Sequence, residues 1–258
     1  MGSVRVMGIV NVTPDSFSGD GLLDHRRAVA RGLAMAEAGA AIVDVGGEST
    51  RPGHTPVDAD EEIRRAVPVV EALARAGVTV SIDTSKLEVA RAAAHAGAAI
   101  VNDVWGLRRS PGIAGLAAGR GLGLVVMHNQ QGSAYDGDLM EAIRSGLVES
   151  LRVATAAGVP RERVMVDPGI GFGKTAEQNV VVLRRLGELL DLGQEILVGA
   201  SRKSFLGRLF GQEPPMRVWG TAAAVTAAVL RGAGVVRVHD VPEMLAVARV
   251  AEALRVGG

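Results

Sequence analysis

Val4-Arg5-Val6-Met7-Gly8-Ile9-Val10 is a short, mostly apolar run that ends on Asn11. The pattern recurs along the chain. Residues 41–43 lead to Asp44, 78–82 to Asp83, 98–101 to Asn102 and Asp103, and 122–127 to His128. Residues 164–166 lead to Asp167, and 196–200 to Ser201, Arg202 and Lys203. The last run, 235–238, carries Arg237 and ends on His239 and Asp240. Apolar runs of this length read as buried parallel strands, and parallel α/β folds place their ligands at the carboxyl ends of the strands. Eight such ends pointing polar groups one way describe a site.

Between the strands, apolar residues at three-to-four spacing predict helices over 24–38, 59–76, 85–96, 111–119, 137–157, 176–192, 218–231 and 242–256. Several close on the same signal: Ala38-Gly39, Ala76-Gly77, Ala96-Gly97 and Ala157-Gly158 each place a glycine where a left-handed helix cap is needed. Strand, loop, helix, glycine, eight times over, predicts a closed (β/α)8 TIM barrel with its active site at the C-terminal ends of the strands. An open doubly wound sheet shares the alternation, but eight units and 258 residues favour the barrel. The long loops at 11–23, 46–58 and 199–216 all follow strands. With no linker in sight, 1–258 reads as one domain.

Composition narrows the chemistry. Nearly half the residues are apolar, the formal net charge is zero and cysteine is absent. That excludes thiolate catalysis, disulfides and Cys-ligated zinc. With no basic block there is no electrostatic reason to expect nucleic acid. No run approaches a membrane span, and no targeting signal is evident, so a cytoplasmic protein is expected. Of the 28 basic residues only Lys86, Lys174 and Lys203 are lysines. In so arginine-rich a chain, a lysine marks a place that a planar guanidinium does not suit.

A polar residue after a strand can be a plain helix N-cap. Asp44, Asp103 and Asp240 are read in this way, as supports, Asp240 because Pro242 follows at a helix start. Caps do not require Lys203, Arg237 and His239. Asp83, Asn102 and Asp167 supply carboxylates and an amide on three strands, matching a ring with adjacent amino and N–H donors, such as a pterin or guanine-like heterocycle. A glycosidase-like acid and base pair is the alternative, but two Trp, one Tyr and four Phe provide no sugar platform. Arg237 and His239 alternate on the last strand and so face one side; with Asn11 on the adjoining strand they make an anion pocket for phosphate or pyrophosphate. Gly169-Ile170-Gly171-Phe172-Gly173-Lys174-Thr175 imitates a phosphate loop, but Pro168 stands where the first glycine is needed. Asp167-Pro168-Gly169 reads instead as a rigid turn. His128 has no decided role, and His25, His54 and His95 are read as surface residues.

These motifs, in this order, resemble the dihydropteroate synthase family over essentially the whole chain. The resemblance rests on Asn11-Val12-Thr13-Pro14-Asp15-Ser16-Phe17-Ser18, Asp44-Val45-Gly46-Gly47-Glu48-Ser49-Thr50-Arg51-Pro52-Gly53 and Ser81-Ile82-Asp83-Thr84. It continues through Val101-Asn102-Asp103-Val104, the stretch from Asp167 to Lys174, Ser201-Arg202-Lys203-Ser204 and Arg237-Val238-His239-Asp240.

The resemblance implies that 4-aminobenzoate displaces pyrophosphate from 6-hydroxymethyl-7,8-dihydropterin pyrophosphate, giving 7,8-dihydropteroate. It implies that Asp83, Asn102, Asp167 and Lys203 hold the pterin, and that Asn11 binds Mg2+ on the pyrophosphate. Arg237 and His239 would grip the anion, with Thr50 and Arg51 on a loop at the substrate. Phe17, Pro52, Phe172 and Ser204 would line the aminobenzoate pocket, where sulfonamides compete. A homodimer is implied, with the Ala-rich helix 218–231 suited to close packing. Two readings stand beside it: a pterin-dependent methyltransferase and a non-catalytic pterin-binding homologue.

Overall fold

The computed structural model describes residues 3–13, 21–49, 56–211 and 216–255, with the backbone alone for 21–24, 209 and 210. Eight strands form: β1 (Arg5–Asn11), β2 (Ile42–Gly46), β3 (Val80–Asp83), β4 (Ile100–Asp103), β5 (Gly123–Met127), β6 (Val164–Asp167), β7 (Glu195–Val198) and β8 (Ala233–Val238). Each pairs in parallel with the next, and β8 returns to β1, closing the expected barrel.

Side chains alternate across each strand. One set points outward to the helices, as Val6, Val43, Val101 and Val236 do in the main core. The other points inward, where Met7, Ile42, Ile100, Val125, Met165, Leu197 and Val235 pack together inside the barrel. This apolar plug is the floor under the polar rim.

The outer ring contains α1 (Gly21–Glu37), α2 (Ala59–Arg75), α3 (Leu87–His95), α4 (Gly112–Arg120), α5 (Leu139–Ala156), α6 (Ala176–Arg185), α7 (Ser204–Phe210), α8 (Arg217–Leu230) and α9 (Val241–Arg255). Local chemistry sets several starts. The Asp58 carboxylate accepts from the Glu61 amide at α2, Asp138 accepts from two amides at α5, and Thr175 with Gln178 forms a reciprocal capping box at α6. The four glycines read as helix caps all have positive φ.

Two expectations change. The helix predicted over 176–192 is α-helical only to Arg185, then runs as a 3₁₀ helix over Leu186–Leu192. Leu186, Leu189 and Leu192 are the residues it buries, a period of three that suits three residues per turn. Within the loop predicted over 199–216 lies α7, closed by Gly211 in the left-handed region.

Candidate active site

Strand register brings four rim positions into one row. Asn11 lies opposite Gly46, Gly46 opposite Asp83, and Asp83 opposite Asn102. A Cβ on Gly46 would stand 3.6 Å from the Asp83 Cβ and 3.8 Å from Asn11 Oδ1, so glycine keeps the space between those two open. Asp83 and Asn102 are buried.

Arg237 organises the centre. Its Nε donates to Asp44 Oδ2 at 2.6 Å and its Nη2 to Asp83 Oδ2 at 2.6 Å. Asp44 Oδ2 also accepts from Asn102 Nδ2 at 3.0 Å. A carboxylate only accepts, so this bond fixes the amide orientation and leaves the Asn102 carbonyl for a ligand. Asp44 is therefore not a helix cap: it lies inside β2, fully buried, and holds both Arg237 and Asn102. A charged residue within an otherwise apolar strand, at an inward-alternating position, was the signal for this role. Burial pushes the Asp83 carboxyl up to about 7, against the pull of Arg237 and with Asp44 adding to the push. Burial also works against the Arg237 guanidinium, but Asp44 and Asp83 outweigh it and keep it charged. One cation serves two acids, and Asp83 Oδ1 is left buried with no partner.

On the far side, Asp167 Oδ1 accepts from the Gly169 amide at 2.7 Å, which makes the expected rigid turn. Burial raises the Asp167 carboxyl, opposed first by Lys203. The Lys203 ammonium donates to the Ile170 carbonyl and lies 4.2 Å above the centre of the Phe172 ring. Burial pushes Lys203 down to about 7, with Asp167 opposing. Asp83, Lys86, Trp105, Phe172, Lys174 and Ser204 are among the residues lining a cavity of about 520 Å³ at this rim. A Cβ on Gly171 would meet the Lys203 Cδ at 2.5 Å, with φ at +79°. Gly171→Ala is therefore expected to displace the Lys203 stem and cost about 10²-fold in turnover. The stability loss should stay near the ~1 kcal/mol of a strained left-handed residue. Steady-state kinetics beside thermal melts test this; a melt that falls in step with activity would count against it.

The anion side differs from the expected cationic pair. The Ser201 hydroxyl accepts from the His239 backbone N–H at 3.1 Å and stands within hydrogen-bond distance, 3.0 Å, of His239 Nδ1. Burial, aided by Arg237, Arg202 and Arg31, pushes the imidazole down to about 3. His239 is thus a neutral imidazole rather than the second cation of a pair. Both Asp240 oxygens pair with Arg202, so its carboxylate is a strut rather than a cap. Arg202 itself is left-handed, with φ 55° and its amide on Thr221 Oγ1. This turn places Ser201 toward His239 and Lys203 toward the Phe172 loop.

Asp103 is a support, as read: its two oxygens accept from the Trp105 and Leu107 amides at 2.8 and 2.7 Å. His128 is buried against Lys174, with 3.3 Å between Nδ1 and Nζ, and burial with that neighbouring charge pushes it down to about 3. Burial also pushes Lys174 down to about 7. Phe17, Thr50, Arg51 and Pro52 lie outside the described residues.

Residues 7–239 match the model of the pterin binding enzyme family. The dihydropteroate synthase of Bacillus subtilis is 43% identical over 251 residues, covering 96% of this chain and 88% of that protein. A crystal structure of dihydropteroate synthase from Clostridium difficile in the presence of pteroic acid superimposes with a TM-score of 0.95 at 46% identity, over 98% of this chain and 97% of that one. The chain belongs to the dihydropteroate synthase family. It is a transferase of that family, and the methyltransferase and non-catalytic readings are not favoured. The Xanthomonas albilineans dihydropteroate synthase, solved with 4-aminobenzoic acid, superimposes at a TM-score of 0.93 and 44% identity, over 99% of this chain and 94% of that one. The dihydropteroate synthase motifs read from sequence thus fall on the strand ends of one barrel.

Proposed function

We propose that this site joins 6-hydroxymethyl-7,8-dihydropterin pyrophosphate to 4-aminobenzoate. The observation that carries the reading is the unpartnered, buried Asp83 Oδ1 in one row with the oriented Asn102 amide. These are acceptors matched to the amino and ring N–H donors of a pterin. Asp167 and Lys203 complete the ring site, and Phe172 and Ser204, both in the cavity wall, receive the aminobenzoate.

In the reaction the C–O bond from the pterin methylene to pyrophosphate breaks, and pyrophosphate leaves with the electron pair. The methylene cation is delocalised into the ring and stabilised by Asp83. The arylamine nitrogen then forms the C–N bond and loses one proton to the departing phosphate or to water. Arg237 and His239 meet the leaving charge, and anion binding raises the His239 affinity for a second proton. The arylamine is neutral near pH 7, so positioning and electrostatics supply the rate.

Among the described residues no three His, Cys, Asp or Glu side chains converge as a metal cage. Asn11 offers a single neutral oxygen, which suits a Mg2+ ion that arrives on pyrophosphate and keeps most of its water. That ion would neutralise the leaving group. The exposed Met216, Trp219 and Leu230 on or beside α8, with Val250 and Leu254 on α9, support a second copy of this chain as partner, testable by light scattering. No helix among the described residues is long and apolar enough to cross a membrane.

The direct test incubates the protein with the pterin pyrophosphate, 4-aminobenzoate and Mg2+ and looks for dihydropteroate. Product formation, lost on chelation, supports the reading; pterin binding without product refutes it. Asp83 must be ionised to accept and Lys203 protonated to donate, and both titrate at about 7 in the free protein. The pH profile of kcat/KM for the pterin substrate should therefore be a bell centred near neutrality, its acid limb from Asp83 and its alkaline limb from Lys203. A profile flat from about pH 5 to about pH 9 would sink this assignment.

A further inference from the structure

Each of the three lysines in the chain sits at the barrel rim. An ammonium donates in three tetrahedral directions, whereas a guanidinium is a flat fork. Lys86 bridges Glu48 and Glu62. Lys203 donates to the Ile170 carbonyl. Lys174 donates to the carbonyls of Gly169 at 3.0 Å and Phe172 at 3.1 Å, with His128 Nδ1 as third neighbour at 3.3 Å.

The last two lysines therefore hold one loop, the segment between β6 and α6. Gly169, Gly171 and Gly173 all have positive φ, so its carbonyls point away from any regular ladder and need outside donors. Tyr135 supplies one, its hydroxyl donating to the Gly173 carbonyl at 2.8 Å. The loop carries Gly171, Phe172 and Gly173, which line the cavity, so its shape sets that wall. Lys203 has two tasks: it ties Ile170 and, on the reading above, also serves the pterin. Lys174 points into its own loop and has no such second task.

We propose that Lys174 is a positioning residue whose ammonium, backed by His128, keeps the Phe172 wall formed while Lys203 serves the substrate. The inference rests on Phe172 lining the aminobenzoate site. It gives the one previously undecided histidine a role: its unprotonated Nδ1 is an acceptor for a lysine, not an acid or base.

Lys174→Met and Phe172→Ala in the full chain test it, with KM measured for each substrate alongside kcat. Lys174→Met is expected to raise the aminobenzoate KM about tenfold while the pterin KM stays within about twofold, because only the wall is displaced. Lys174→Arg should not restore the wild-type value, since a flat fork cannot meet three converging acceptors. It serves as the reporter if the methionine variant does not fold. A normal aminobenzoate KM in the lysine variants, with a raised one in Phe172→Ala, overturns this proposal alone. Equal rises in both substrate KM values also overturn it. An unchanged KM in Phe172→Ala removes Phe172 from the aminobenzoate site, and the proposal falls with that reading.

Discussion

Asp83→Ala is expected to lower kcat/KM on the order of 10²- to 10³-fold, the size of effect seen when one preorganised electrostatic partner is removed from a transition state. On the function proposed above, Asp83 is the buried acceptor for the pterin ring and a carboxylate available to the developing methylene cation. Lys203→Ala should lose a similar factor, because its ammonium lies over the Phe172 ring and in the field of Asp167 and Asp83, the carboxylates proposed to hold the pterin. His128→Ala should stay within about tenfold, since its part is to back Lys174. Comparable losses in all three would contradict the map. Stability should move the other way. Burial raises the Asp83 carboxyl above its unfolded value, so ionising it costs folding free energy that is absent below about pH 4 and fully present above about pH 7. Asp83→Asn removes that cost, and its melting temperature at pH 8 should equal or exceed that of the parent. A large drop at pH 8 would mean that Asp83 is structural.

Arg237→Met should be the most destabilising change at the rim. It leaves Asp44 and Asp83 buried without their shared cation, and breaking a buried pair from one side costs about 3–5 kcal/mol. For a chain of this size that lowers the melting temperature by on the order of 10 °C. The pH sense is definite. The Asp83 carboxyl, already raised by burial, gains a still higher folded value, the folded state then binds more protons than the unfolded state, and stability falls as pH rises. The deficit should therefore shrink below about pH 4, where Asp83 becomes protonated in the unfolded state as well as the folded one. Arg237→Lys should not rescue it, because one ammonium cannot place two donors as Nε and Nη2 do. Calorimetry at two pH values decides this; a deficit independent of pH would place the energy in packing instead.

The barrel was legible because its signals are local. A period of two in strands such as 42–46, a period near 3.6 in the helices, and glycines at 39, 77, 97 and 158 each act within a few residues. The departures were legible in part: Leu186, Leu189 and Leu192 already show a period of three. Asp44 was misread for a different reason. Its neighbours in sequence suit a strand end before a helix, whereas its neighbours in space are Arg237 and Asn102, 193 and 58 positions away.

What the sequence determined by itself is the set of groups: eight polar strand ends, with seven motifs in an order that the dihydropteroate synthase family shares. What only the tertiary structure decided is their state. Arg237 pairs with two acids, His239 is neutral and set against Ser201, and Asp83 keeps one oxygen free. Lys174 serves its own loop rather than a phosphate. The physical reason is that charge state and hydrogen-bond partner depend on burial and on distances of a few ångströms between residues far apart in the chain. Closure of the barrel creates both at once.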